Sequence, residues 1–191
     1  MKRAALLIID MQNDFVLDSA PMKVTQARAV IPQILLILGA FRSRRLPVFH
    51  LLRVHRADGS DVEIIRQELF RQQPFAVEGT HGAAIIDEIV PASGEYIIPK
   101  TRMSAFIATE LDLMLRNLKV TDVVVTGIQT PNCIRTTVFD AIAYNYPVVV
   151  VEDAIGAKTE EIHRANLNDM ANIGVRVVKA RDIAAALDQK T

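Results

Sequence analysis

The sequence is short of several things, and each shortage narrows what the protein can be. It has a single cysteine, Cys133. No internal disulfide can frame the fold, and a reducing cytoplasm is the expected compartment. Neither sign of charge is in excess: lysine plus arginine and aspartate plus glutamate number 22 each. Such a balance offers no general attraction to nucleic acid or to an anionic membrane. No apolar run is long enough to span a bilayer. The opening MKRAALLIID superficially resembles a signal peptide, but its apolar run ends at Asp10 with no small-residue cleavage site. Repeats, low-complexity segments and linkers are also missing. A single domain over residues 1–191, half of them apolar, is therefore expected. A glycine-rich phosphate turn is missing as well. The first apolar run leads into Asp10-Met-Gln-Asn-Asp14, which argues against a dinucleotide-binding oxidoreductase.

What is present is organised around residues 122–143, DVVVTGIQTPNCIRTTVFDAIA. Val123–Val125 reads as a buried strand that stops at Gly127. Helical periodicity resumes at Ile134, Val138, Ala141 and Ile142. The turn between contains Thr130, Pro131 and Asn132, with Thr130 or Asn132 expected to cap the helix. Cys133 then stands at a helix N-terminus, where unpaired N–H groups and the dipole favour a thiolate, the nucleophilic form. The other reading of Cys133 is a small buried apolar side chain.

Elsewhere, Ala4–Ile9 is a continuous apolar run, as in a strand covered on both faces. The spacing predicts an amphipathic helix from Val24 to Phe41. Pro47–Leu52 reads as a second strand, followed by a helix ending near Phe70 and an irregular stretch over 71–93 with a short helix at Ile85–Val90. Glu95–Ile98 is a third strand, and Phe106–Leu118 is expected to be helical. Pro147–Val151 and Val175–Val178 are further strands around a helix at Glu160–Ile173, and a last helix runs from Asp182 to Leu187. Strands alternating with helices imply parallel βαβ units and an α/β fold covered on both sides. Ligands of such sheets bind at the carboxyl ends of the strands. Asp10, Lys100 and Cys133 all fall at such ends. A carboxylate can take a thiol proton and an ammonium favours the thiolate, so their joint placement points to a thiol-nucleophile enzyme.

LLIIDMQNDF (6–15), IIPKTRMSAF (97–106) and TGIQTPNCIRTTVFDA (126–141), with VVVVEDAIGAKTEEIH (148–163) and NIGVRVV (172–178), resemble the isochorismatase-like cysteine hydrolase superfamily. That superfamily includes nicotinamidases, N-carbamoylsarcosine amidases and ureidoacrylate amidases. The resemblance covers nearly the whole chain. It implies a three-layer, Rossmann-like α/β/α fold with a six-stranded, mostly parallel sheet in order 3-2-1-4-5-6. It places a catalytic Asp–Lys–Cys triad on Asp10, Lys100 and Cys133. The oxyanion hole would be the backbone N–H groups of Cys133 and Gln129, after a cis Ile128–Gln129 bond. The implied reaction is hydrolysis of a small amide or carbamoyl compound without an organic cofactor, and self-association into a homo-oligomer is expected.

Other residues have two readings. Phe15 is expected in the substrate pocket, and Gln12 near it. Asp14 reads as a helix or turn cap. Arg135, in the first helical turn, could bind a substrate carboxylate or form a salt bridge. Ser104 could contribute to the pocket rim or cap a helix; Phe106 could do the former or pack in the core. Glu152–Asp153 is expected to tether loops. The remainder of the pocket is expected from residues 53–93. Nicotinamidases carry an Asp-x-His metal pair after the second strand, whereas this chain reads His50-Leu-Leu-Arg-Val-His55, with His81 far off. No metal is expected, and nicotinamide is disfavoured as substrate. The competing functions are a vinyl-ether hydrolase of the isochorismatase type, against which the cysteine argues, and a non-catalytic thiol module for binding or redox sensing.

Overall fold

The computed structural model describes Met1 and residues 3–188. Six strands, β1 (Ala4–Ile9), β2 (Val48–Arg53), β3 (Tyr96–Lys100), β4 (Asp122–Ile128), β5 (Val148–Gly156) and β6 (Arg176–Val178), form one sheet. Its order is β3-β2-β1-β4-β5-β6, and every pairing is parallel. The order matches the expectation, and the sheet is all-parallel where a mostly parallel one was expected. The helices are α1 (Asn13–Val16), α2 (Ile31–Ser43), α3 (Gln67–Gln72), α4 (Leu111–Asn117), α5 (Arg135–Ala143), α6 (Glu160–Asn172) and α7 (Ala180–Asp188).

Alternate residues of the buried strands feed two cores. Leu6, Ile8 and Val124 pack with Ile34, Ile37 and Phe41 of α2 and Ile183 of α7. Leu7, Ile9 and Val125 pack with Leu115 of α4, Val138 of α5 and Met170 of α6 on the opposite face. Burial of whole apolar side chains on both faces contributes roughly 1.5–3 kcal/mol each, which explains why these strands are unbroken apolar runs. Pro99 is tolerated in β3 because β3 is an edge strand and needs no second ladder.

Two expected helices are shorter than their periodicity. Residues 25–30 are turns, and α2 starts one residue before Pro32, whose fixed φ suits a first turn. Residues 101–110 are irregular. There the Ala105 N–H donates to Thr137 Oγ1, Phe106 N–H to Ser104 Oγ and Leu111 N–H to Thr109 Oγ1. Local hydroxyls thus compete with the helical ladder. The expected helix before Phe70 becomes a 3₁₀ turn at Ile64–Arg66 followed by α3.

Gly127 lies close against the backbone of β1. It pairs with Ile9 at φ 106°, and a Cβ there would lie 2.1 Å from the Ile9 carbonyl oxygen. Gly127→Ala is expected to destabilise the fold by about 3 kcal/mol or more, read as a lowered urea midpoint. The adjoining Asp10 has a positive φ of 54°, so this approach also sets the exit of β1.

Glu95 ties the β3 edge to the layer behind it. Its carboxylate accepts from Arg42 Nε at 2.6 Å and from the Ala92 N–H at 3.0 Å, and lies 2.8 Å from His50 Nε2. Burial opposes its charge, but these donors outweigh it and hold the carboxyl down at about 2. A depressed folded value means that the stabilisation is complete above about 4.5 and is lost as pH falls towards 2. Urea midpoints of the wild type should therefore drop across that window. Glu95→Gln should be less stable above it and show a flatter profile within it.

Among the described residues no helix is long and apolar enough to cross a membrane.

Candidate active site

The order of the sheet reverses between β1 and β4, and the carboxyl ends of these two strands are where a ligand of such a fold binds. Asp10 follows β1, Lys100 ends β3, and Cys133 lies in a π-helical turn, Thr130–Ile134, between β4 and α5. All three side chains are buried. Lys100 Nζ lies 3.0 Å from both Asp10 oxygens and also donates to the Arg102 carbonyl at 3.3 Å. Asp10 and Cys133 line one cavity of about 260 Å³, together with Gln129 and Asn132. The Ile128–Gln129 peptide is cis.

The thiol differs from the expectation of easy ionisation. Burial and the Asp10 carboxylate push it up to about 11, against the opposing pull of Lys100 and Arg53. Desolvation of a fully enclosed group outweighs the helix end. At neutral pH Cys133 is therefore a thiol beside a carboxylate, and it needs that carboxylate to lose its proton.

Phe15 lines the same cavity, joined by Met22, Val24, Leu69 and Ile128. Gln12 does not face it. Its amide donates to the Arg53 and Ala83 carbonyls and accepts from the Arg53 N–H, so it fastens β2 to the loop after β1. Asp14 is not a helix cap: it accepts from the Ala76 N–H at 2.7 Å and packs where a Cβ on Gly82 would fall. Thr130 and Asn132 do not cap α5 with their side chains either. Thr130 Oγ1 is 2.9 Å from His163 Nδ1 on α6, and the Asn132 carbonyl accepts from Thr136 Oγ1. The Thr130 hydroxyl thus makes a tertiary contact, and Asn132 a local one within the turn and α5.

The other expected pocket residues lie elsewhere. Ser104 and Arg135 line a separate groove with Ile65, Met103, Ile107 and Phe139. Arg135 bonds Asp169 of α6 through Nε at 3.0 Å and lies over the Phe139 ring. Phe106 is buried and stacks on Tyr144 at 5.2 Å. Glu152 and Asp153 tie β5 to the chain end, Asp153 accepting from the Ala180 N–H at 2.8 Å.

Three cations of the cavity were not singled out: Arg53 and Arg66, from the 53–93 stretch expected to contribute to the pocket, and Lys158. Arg53 had a legible signal, since it follows the second apolar run as Lys100 follows the third, and the two are register partners. Arg53 is almost wholly buried, and its Nη1 donates to Glu63 at 2.8 Å and to the Thr101 carbonyl at 2.6 Å. Burial disfavours its charge, but Cys133, Asp10 and Glu63 outweigh that and raise its pKa.

The histidines have separate partners: His50 meets Glu95, His55 lies 3.3 Å from Asp61, and His81 lies 3.3 Å from the Asn13 amide. No group of three or more His, Cys, Asp or Glu side chains suited to a metal occurs among the described residues.

An all-parallel sheet of this order, with a thiol and a carboxylate in one cavity at its reversal point, defines an isochorismatase-like α/β protein. The chain belongs to the isochorismatase family: the Isochorismatase domain model matches residues 4–182. It is 42% identical to a protein of Arabidopsis thaliana named probable inactive nicotinamidase, over 92% of this chain and 91% of that one. It is 30% identical to maleamate amidohydrolase of Pseudomonas putida, over 95% and 85%. The crystal structure of an isochorismatase family protein from Desulfovibrio vulgaris superposes with a TM-score of 0.95 at 45% identity, covering 99% of this chain and 100% of that one. The family includes amidohydrolases.

Proposed function

We propose that the protein hydrolyses a small amide, carbamoyl or ureido compound through a thioester on Cys133, releasing ammonia. The observation that carries this reading is the convergence of Cys133 and Asp10 on one cavity, with Lys100 3.0 Å from the Asp10 carboxylate. The Cys133 thiol gives its proton to Asp10 as Sγ attacks the substrate carbonyl carbon. The Cys133 and Gln129 N–H groups receive the oxyanion. Asp10 passes the proton to the leaving nitrogen, the C–N bond breaks and ammonia departs. Asp10 then takes a proton from water, whose oxygen attacks the thioester, and the acid product leaves as the thiol is restored. Lys100 pairs with the Asp10 carboxylate between steps.

Maleamate amidohydrolase, one of the relatives, bears the name of an enzyme acting on such a compound. Nicotinamide is not proposed, because the Asp-x-His pair is absent after β2 and the Arabidopsis relative is named a probable inactive nicotinamidase. The test is ammonia release from a panel of small amides, ureides and carbamoyl amino acids, with and without a chelator. Turnover lost in both Cys133→Ala and Asp10→Asn supports the mechanism. Turnover that survives Cys133→Ala removes the thioester.

A further inference from the structure

The turn that carries Cys133 leans on an imidazole that the mechanism above does not use. Gln129, Asn132 and Cys133 line the substrate cavity, and Thr130, wholly buried in the same turn, does not. Its hydroxyl lies instead 2.9 Å from His163 Nδ1 on α6. The Thr130 carbonyl meanwhile accepts from the Arg135 N–H and closes the π-helical turn. One residue thus joins the backbone of the turn to a side chain of another element. His163 is itself buried, and it lines a second cavity, of about 390 Å³, with Glu152, Asp153, Glu160, Arg164 and Lys179.

We propose that His163 is a positioning residue for Cys133: as a neutral imidazole it accepts from the Thr130 hydroxyl and fixes the turn, and on protonation it lets the turn and the thiol shift. This rests on the amidase reading above, in which the thiol must stand between Asp10 and the substrate carbonyl. A misplacement of about 1 Å in such an arrangement costs on the order of 10²-fold in rate. The tautomer follows from the main chain. The Glu152 carbonyl favours a proton on the ring, and with Nδ1 facing Thr130 that proton belongs on Nε2. Nδ1 is then the acceptor, and a second proton there takes the lone pair that the hydroxyl uses. Burial lowers the pKa of the ring below the 6.5 of an ordinary histidine; Glu160 and Glu152 oppose this and Arg164 assists it. Asp153 and Lys179 are the other charges around the second cavity. The bond is therefore complete at neutral pH and is lost as pH falls through the lowered value.

Because Cys133 is the chain's only cysteine, protein labelled with carbon-13 at cysteine Cβ gives one resonance, which reports on the thiol with no substrate present. It is followed from pH 7.5 to 5, above the window in which Glu95 titrates. The wild-type resonance is expected to move along a titration curve with its midpoint below 6.5. His163→Asn offers an acceptor that does not titrate, so it should lose that curve and stay near the wild-type position of neutral pH. Thr130→Val keeps the shape without the hydroxyl, so its resonance should be displaced at pH 7.5 and should also lose the curve. A wild-type resonance that does not titrate, or a curve that persists in His163→Asn, overturns the proposal. So does a curve that persists in Thr130→Val, which would mean that the imidazolium acts on the thiol through space. Where the amide and ureide panel yields ammonia, Thr130→Val should lower kcat by about 10–10²-fold with KM unchanged. His163→Asn should there recover most of what His163→Leu loses. A wild-type kcat in Thr130→Val overturns the proposal as well. Ammonia release without the titration would leave hydrolysis standing and remove the role of His163. The titration without ammonia from any compound would keep His163 as the group that places the thiol and remove the amidase reading.

Discussion

Asp10→Asn should lower ammonia release by about 10²–10⁴-fold and at the same time make Cys133 more reactive towards iodoacetamide at pH 8. The two effects have one origin. The Asp10 carboxylate helps to push the thiol up to about 11, while Lys100 and Arg53 pull it down. Without the carboxylate the two cations act unopposed, and the thiolate forms more readily. Turnover nevertheless falls, because the asparagine cannot carry the proton to the leaving nitrogen or take one from water. The measurement is a pair of rates on the same samples. A parallel fall in both would mean that Asp10 holds the structure of the site and is not its base. Cys133→Ala, by contrast, should abolish turnover and labelling together.

Lys100→Met should have the second largest effect, on stability as well as activity. Lys100 is buried against Asp10 with Nζ 3.0 Å from each oxygen. Methionine keeps the unbranched shape and removes the charge, which leaves a carboxylate buried without its cation. Breaking one half of a buried pair costs about 3–5 kcal/mol, visible as a lower urea midpoint. Asp10→Asn combined with Lys100→Met should recover part of that stability, since neither charge is then stranded, but none of the activity. The non-additivity of such a cycle is the coupling between the pair. A double variant no more stable than Lys100→Met would mean that the ammonium is held mainly by the Arg102 carbonyl.

The parallel sheet was legible because its four inner strands, β2, β1, β4 and β5, are mostly buried on both faces and therefore read as apolar runs. Strand order came only through resemblance, since nothing in a run such as Val148–Val151 says which neighbour it takes. The carboxyl-edge rule found Asp10, Lys100 and Cys133. It also applied to Arg53, which was missed because the second strand was ended one residue early. Lys158 could not be read from the pattern, because it comes from an irregular segment where periodicity is silent about which way a side chain points; Arg66 ends a 3₁₀ turn where a regular helix was expected, so helical periodicity gave no guide to it. Arg135 drew notice as a cation in a first helical turn, but α6 supplies Asp169 to meet it. The helix expected from Phe106 starts only at Leu111, whose N–H goes to the Thr109 hydroxyl and not to a carbonyl one helical turn back.

Asp10 and Lys100 reach the sheet before the turn at Lys119, which has a positive φ of 56°, and Cys133 comes after it. A single nick at that turn would therefore place the proton carrier and its cation on one fragment and the nucleophile on the other, joined by the β1–β4 ladder, the packing of α2 on α7 and the Ala105–Thr137 hydrogen bond. Every catalytic candidate would still be intact in such a mixture. Chemistry in this protein belongs to the junction of these two halves, and a cleaved molecule would keep it only for as long as they stayed together.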